Sequence, residues 1–123
     1  MKIRIADNSI RLRLRQTEVK NFCAQGSITE KLELGPSASQ QLSFIFKIGT
    51  DQPAILFSEN KLTISIPENM ARQWTQTDQV GIVHSLDNGA GSPIQLLIEK
   101  DFACLDATDE ENIDTYPNPK AAC

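Results

Sequence analysis

Apolar and charged residues alternate strictly in two short stretches near the start of the chain, residues 2–6 and 10–15. The apolar members are Ile3, Ile5, Ile10, Leu12 and Leu14, and the charged members are Lys2, Arg4, Arg11, Arg13 and Arg15. A period of two residues with β-branched side chains is typical of strands with one buried face. Asp7-Asn8-Ser9 between the stretches has turn composition, so the pattern predicts a β-hairpin whose cations face away from the core.

The residues after this hairpin predict a short helix and two further strands. Thr17 can cap the helix, and Gly26 is a typical residue to end it. Strands are expected at residues 27–34 and 42–48, on either side of a Gly-Pro-Ser loop. The first part of the chain therefore predicts the element order ββαββ.

The same order is predicted again after a linker at residues 49–53. A hairpin is expected between residues 55 and 66, and Pro67 suits the start of a second helix. Two strands follow at residues 80–86 and 94–99.

Residues 2–48 and 54–100 align without a gap, and most apolar strand positions coincide. The alignment places Leu34 opposite Leu86. This pattern predicts an internal duplication into two pseudo-repeats. The alternative is two similar patterns without common ancestry, and both interpretations predict the same architecture.

Each ββαββ unit would expose one apolar sheet face unless the two units packed together. The sequence therefore predicts an α+β, mostly β fold, an eight-stranded antiparallel sandwich or barrel with two short helices on its outside. Ile45 and Leu97 face the second side of their strands and are the predicted seats of these helices. We place a single domain at residues 1–100 and an acidic C-terminal tail at residues 101–123.

Charge is segregated along the chain, although the net charge is only −4. Residues 1–15 contain five cations and one acid, whereas residues 99–114 contain seven acids and one cation. The five cations, called the basic face below, allow three interpretations: a solvated exterior, a surface neutralised by the acidic tail, or a site for a polyanion or an acidic protein segment. The hairpin carries no aromatic residue, which argues against nucleic acid as the partner.

The apolar runs are short, and residues 94–98 are typical of them. A membrane helix needs roughly 20 apolar residues, and a secretory signal needs an unbroken apolar stretch that the first residues do not have. We therefore expect no membrane contact and a cytoplasmic location, with which three irregularly spaced cysteines agree. The sequence makes no prediction of oligomeric state.

No residue pattern predicts a catalytic centre, a metal site or a cofactor. His84 is in phase with the apolar residues of its strand and is expected to be structural. Cys23 lies on the predicted apolar side of the first helix, whereas Cys104 is open between packing and a reactive thiol. The acidic run at residues 106–114 lacks the glycine and the final glutamate of a calcium loop. Gly89-Ala90-Gly91 lies between strands and predicts a hairpin loop rather than a phosphate-binding loop.

The two ends of the chain, MKIRI with NSIRLRL and EKDFxCLD with YPNP, resemble a family of small uncharacterised bacterial proteins. The resemblance spans nearly the whole chain. It implies a bacterial origin and a characteristic length, and it implies no activity, cofactor or catalytic residue.

Our first functional hypothesis is a small non-enzymatic interaction module that uses the basic face and is covered in part by its acidic tail. Removal of residues 101–123 is then expected to raise the affinity for polyanions or to lower stability. The alternative is a phosphate-ester or triphosphate-processing enzyme with a cation-lined cavity. The alternation argues against this enzyme because it directs the cations away from the interior, and the start of the chain has no paired glutamates.

Overall fold

The computed structural model describes residues 1–103 and 108–117. In chain order its helices and strands are β1 (Lys2–Ala6), β2 (Ser9–Leu14), α1 (Gln16–Gln25), β3 (Ser27–Glu33), β4 (Gln41–Ile48), β5 (Ala54–Ser58), β6 (Lys61–Ile66), α2 (Glu68–Gln76), β7 (Gly81–Leu86) and β8 (Ile94–Lys100). A single 3-10 turn at Ala38–Gln40 precedes β4. The element order therefore runs ββαββ twice.

The eight strands form two four-stranded sheets. The first sheet has the order β1-β2-β8-β7, and the second has the order β3-β4-β6-β5. The outer pairs of both sheets are antiparallel, whereas the central pairs, β2 with β8 and β4 with β6, are parallel. The predicted α+β fold with two packed sheets is confirmed, and the sheets are mixed rather than purely antiparallel.

Each half of the chain contributes one hairpin to each sheet. The hairpin β1–β2 joins β7 and β8 from the second half, and β3–β4 joins β5 and β6. Each helix therefore carries the chain from one sheet to the other. The halves are interleaved, because they cannot separate without breaking both central parallel pairs.

The registers of the central pairs relate the two sheets by an approximate twofold exchange. Leu12 lies opposite Ile98 in the first sheet, and Ile64 lies opposite Phe46 in the second. Each residue of the first pair is 52 positions away from one residue of the second pair. This offset equals that of the gapless alignment, while common ancestry of the two halves stays a prediction.

The edge strands β3 and β7 depart from the gapless alignment. Leu32 lies opposite Leu42, and Leu86 lies opposite Ile94, so Leu32 takes the position equivalent to Leu86. The predicted equivalence of Leu34 and Leu86 is therefore wrong by two residues. The cause is the connection after each helix, which is longer between α2 and β7 than between α1 and β3.

The core is formed by the inner faces of both sheets and by one side of each helix. Its fully buried aromatic residues are Phe22 of α1, Phe46 of β4 and Trp74 of α2. The rings of Phe22 and Phe46 stack with centroids 4.1 Å apart, and Trp74 contacts each of them edge-on at 6.2 Å. Around them pack Ile10, Leu12, Leu14, Val19, Ile64, Ile66, Ala71, Ile82, Leu96 and Ile98. The described core is thus apolar.

The predicted seats of the helices are wrong. Ile45 and Leu97 lie on the outer faces of their strands and are half-buried, whereas Phe22 and Trp74 pack against Phe46 on the inner face. Because each helix connects one sheet to the other, its apolar side faces the space between the sheets. The helices consequently do not cover the outer faces of the sheets, where Val83 of β7 and Leu56 of β5 are exposed.

No helix within the described ranges is long and apolar enough to span a membrane.

Candidate anion-binding face

The turn of the first hairpin fixes the position of the basic face. Asp7 and Asn8 adopt left-handed backbone conformations with φ of 50° and 57°, as a type I′ turn requires. The side-chain amide of Asn8 donates to the carbonyl of Pro93 at 3.0 Å, which joins the turn to the loop before β8. This hydrogen bond holds the hairpin turn next to the start of β8.

The basic face occupies the outer side of the first sheet. Arg4 lies opposite Arg11, and Lys2 lies opposite Arg13, across the antiparallel pair of β1 and β2. Lys2 and Arg4 are exposed, and the other three cations are half-buried. Four of the cations, Lys2, Arg4, Arg11 and Arg13, line a shallow pocket of about 200 Å³ together with Ile3. The strand alternation thus brings the predicted cations together on one surface.

Acids at the end of β8 neutralise part of this surface. The Arg11 guanidinium binds Glu99 in a two-pronged pair, with Nε to Oε1 at 2.8 Å and Nη2 to Oε2 at 2.9 Å. Lys2 Nζ lies 2.8 Å from Oδ2 of the buried Asp101, and Arg15 Nε lies 4.0 Å from the same oxygen. Because β8 runs parallel to β2, its carboxylates reach this hairpin directly.

Arg4 and Arg13 differ from the other three cations of the face. Neither has an ion pair with an acid in the part of the chain that the structure describes. They lie on adjacent strands, diagonally across the sheet. As far as the described residues go, these two guanidinium groups have no ion pair that an external anion would have to displace.

The described part of the predicted tail also docks at the N-terminus of α1, next to the basic face. Asp114 accepts a hydrogen bond from the backbone N–H of Thr17 on Oδ2 and one from Gln16 on its carbonyl, both at 2.9 Å. The Gln16 side chain donates to the carbonyl of Thr115 at 2.8 Å. These bonds place a carboxylate at the N-terminus of α1, where the helix dipole favours negative charge.

A second contact holds the start of the tail against the fold. Asp101 donates its backbone N–H to the carbonyl of Leu14 and accepts one from Tyr116, both at 2.8 Å. The Lys100 ammonium donates to the carbonyl of Thr77 at 2.7 Å and lies 5.6 Å from the centre of the Tyr116 ring. Burial lowers the pKa of Lys100 and raises the pKa of Tyr116.

The cap of α1 differs from the prediction. The helix begins at Gln16 with Arg15 as its N-cap, so Thr17 lies inside the first turn and does not cap the helix with its own side chain. Glu18 accepts the backbone N–H of Arg15 at 2.9 Å, and Asp114 supplies the second acceptor. Sequence reasoning missed Asp114 because this cap comes from a residue far away in the chain.

We expect the Asp114 cap to contribute to stability only while its carboxyl is ionised. The hydrogen bonds from Thr17 lower the pKa of Asp114, so ionisation is favoured in the folded state. The contribution is therefore complete above the unfolded pKa of about 4 and is lost as the pH falls through the lower folded value. In thermal melts, the wild type should be more stable than Asp114→Asn at pH 6, and the difference should shrink below about pH 4. The asparagine tolerates the positive φ of 61° at this position. A difference independent of pH would contradict this role.

The remaining candidates for chemistry are dispersed. His84 is half-buried on β7 opposite Leu96, and its structural role stays a prediction. Cys104 lies outside the described residues, as does the start of the acidic run at residues 106–107. Within the described ranges, no three His, Cys, Asp or Glu side chains are grouped as a metal site.

Cys23 is exposed, so its predicted place in the core is wrong. Its Sγ lies 3.7 Å from Thr75 Oγ1 and 4.0 Å from Gln76 Nε2, both on α2. The buried residues of α1 are Val19 and Phe22, whereas Cys23 lies next to polar side chains of α2.

Comparison with known proteins identifies a family and no activity. A search of curated proteins and a search of solved structures found no match. One family model, described as a family of unknown function (DUF7009), matches residues 1–120. The chain therefore belongs to DUF7009, in agreement with the predicted resemblance to a family without an assigned activity.

Proposed function

We propose that the protein is a small interaction module that binds an acidic segment of another protein through the basic face. One observation carries the proposal: Arg4 and Arg13 lie on the outer side of the sheet without an acidic partner among the described residues. A planar guanidinium pairs with a carboxylate through two parallel hydrogen bonds, and Arg11 already binds Glu99 in this way. An external carboxylate can make the same two-pronged contact with Arg4 or with Arg13, which lie next to Arg11.

The surroundings of the basic face favour a protein segment over a polyphosphate or a nucleic acid. One row of outer residues runs across all four strands of the first sheet: Arg4, Arg11, Leu97 and Val83. Val83 is 72% exposed. The row therefore changes from cationic to apolar, which suits a partner that carries both carboxylates and aliphatic side chains. The face offers no aromatic ring on which a base could stack.

Support for the alternative, a phosphate-processing enzyme, is weaker. Such an enzyme would need its cations inside a cavity. The buried residues between the sheets are instead apolar, such as Leu12, Leu14 and Phe46, and the five cations lie on the outer side of the first sheet.

Three finer expectations accompany the proposed module. We infer that the two halves arose by duplication, which the shared registers of the central strands support. We also propose that residues 1–100 form a single domain and residues 101–123 an acidic tail. Among the described residues of this tail, Asp101 approaches the basic face at Lys2 and Arg15. A cytoplasmic location agrees with the irregular spacing of the cysteines.

The double variant Arg4→Gln and Arg13→Gln is expected to weaken binding of fluorescein-labelled polyglutamate by at least about tenfold, equivalent to about 1.4 kcal/mol. Fluorescence anisotropy at low salt measures this, because screening weakens contacts between exposed charges. The matched control is Lys31→Gln with Lys61→Gln, two exposed cations on the outer side of the second sheet. Equal losses in both double variants would overturn the proposed site, and tighter binding of polyphosphate than of polyglutamate would overturn the acidic protein segment as partner.

A further inference from the structure

The free edge of β1 has an orientation that its hairpin turn determines. β1 is one of the two edge strands of the first sheet and pairs with β2. A two-residue type I′ turn at Asp7-Asn8 makes Ala6 opposite Ser9 a hydrogen-bonded pair. Hydrogen-bonded and non-hydrogen-bonded pairs then alternate along the two strands.

This alternation directs the backbone groups of Ile3 and Ile5 away from the sheet. Lys2 and Arg4 belong to hydrogen-bonded pairs, so their backbone N–H and C=O groups point towards β2 and bond to it. Ile3 and Ile5 fall between them, so their N–H and C=O face outwards, and no backbone group within the described ranges outside the sheet bonds to them. The edge can therefore accept a further strand.

The side chains of β1 divide into two chemically different sides. On the inner side, Ile5 is 65% exposed and borders an apolar groove of about 150 Å³ between the two sheets. The groove is also lined by Asn8, Ser9, Ile10, Ile55, Leu62 and Ile94. On the outer side, Lys2 and Arg4 are exposed. A strand added here would meet apolar groups on one side and cations on the other.

We propose that the edge of β1 binds an extended segment in which acidic and aliphatic residues alternate, as a fifth, antiparallel strand of the first sheet. This inference rests on the proposed function, since it names the form in which the acidic segment binds. Aliphatic residues lie opposite Ile3 and Ile5 and exchange backbone hydrogen bonds with them. The acidic residues between them lie opposite Lys2 and Arg4. The antiparallel direction follows the edge pairs of both sheets, all of which are antiparallel.

The second sheet supplies an internal comparison. One of its edge strands, β5, follows the same pattern, with a left-handed turn at Glu59-Asn60 and an exposed aromatic residue, Phe57, on the inner side. Its outer positions are Ala54, Leu56 and Ser58 instead of cations. Charged side chains on an edge discourage pairing with like edges. On β1 the same charges repel basic strands and attract acidic ones, so β1 is selective where β5 is not.

The test uses the full chain and a fluorescein-labelled peptide of alternating glutamate and valine, capped at both ends. Its control is an isomer with the same composition and the residues in two blocks. Fluorescence anisotropy is expected to show the alternating peptide binding at least about tenfold more tightly. Equal affinity of the two peptides, with both lost in the Arg4→Gln and Arg13→Gln variant, would overturn strand addition while leaving the proposed function in place. If neither peptide binds, both the strand addition and the proposed function are overturned.

Two further measurements address the backbone contact itself. N-methylation of the peptide at its valines blocks the N–H groups that face β1, and we expect at least about a tenfold loss of affinity. N-methylation at its glutamates blocks only groups that face solvent and should leave affinity unchanged. In the protein, Ile5→Pro removes one outward donor, whereas Phe57→Pro makes the same change on β5 and should have no effect. Equal effects of the two methylations would contradict an antiparallel fifth strand. Thermal melts check that both proline variants are folded.

Discussion

Replacing Trp74 with alanine is expected to destabilise the protein by about 3–5 kcal/mol, which is a large part of the stability of a domain of this size. The side chain is fully buried, and its ring contacts Phe22 and Phe46 edge-on. Its indole N–H donates to the carbonyl of Val80 at 3.1 Å. The substitution would leave a cavity where both helices meet the second sheet and would leave that carbonyl without its donor.

Urea denaturation followed by far-ultraviolet circular dichroism measures this loss. The control is Phe57→Ala, an aromatic residue of β5 that is 63% exposed, which should change stability by less than about 1 kcal/mol. A loss below about 1 kcal/mol for Trp74→Ala would contradict a core in which the three rings join the helices to the sheets.

The second large effect is expected for Asp101→Ala, at about 1.5–3 kcal/mol. The carboxylate is buried, with Lys2 Nζ 2.8 Å from Oδ2 and Arg15 Nε 4.0 Å away. Removing it leaves two cations side by side at the border of the basic face without their counter-charge. The loss stays below that of a fully buried ion pair because both cations are partly exposed and can regain water.

A matched control for Asp101→Ala is Asp109→Ala, an exposed acid of the same segment, which should change stability by less than about 0.5 kcal/mol. In a double-mutant cycle with Lys2→Met, the two single losses should not add, because each variant already breaks the same contact. Additive losses would show that Asp101 stabilises the fold independently of Lys2. Removal of residues 101–123 should lower stability at least as much as Asp101→Ala does.

The hairpins, the helices and the orientation of the cations could be predicted because each depends on local alternation. Ile10, Leu12 and Leu14 have a period of two residues, so the cations between them had to face the other side. The partnership of β2 with β8 could not be predicted in this way. Both central strands have apolar inner faces. Their periodicity does not show whether β2 pairs with a parallel strand of the other half of the chain or with an antiparallel strand of its own half.

The acids of the candidate site could not be predicted for the same reason, since they depend on which strands pair. Glu99 and Asp101 appear in the sequence as the beginning of an acidic run, and only the pairing of β8 with β2 places them beside Arg11 and Lys2. Asp114 reaches α1 only because the chain returns to that helix after β8. Long-range contacts of this kind have no local signature.

The most direct test of the account is to map where an acidic ligand binds, by following backbone amide shifts in NMR spectra of the ¹⁵N-labelled full chain as polyglutamate is added. We expect the largest shifts at Arg4, Arg11 and Arg13, whereas the amides of Ile45 and Lys31, on the outer side of the second sheet, stay unchanged. Shifts concentrated on the second sheet, or spread evenly over both sheets, would contradict a binding site on the basic face.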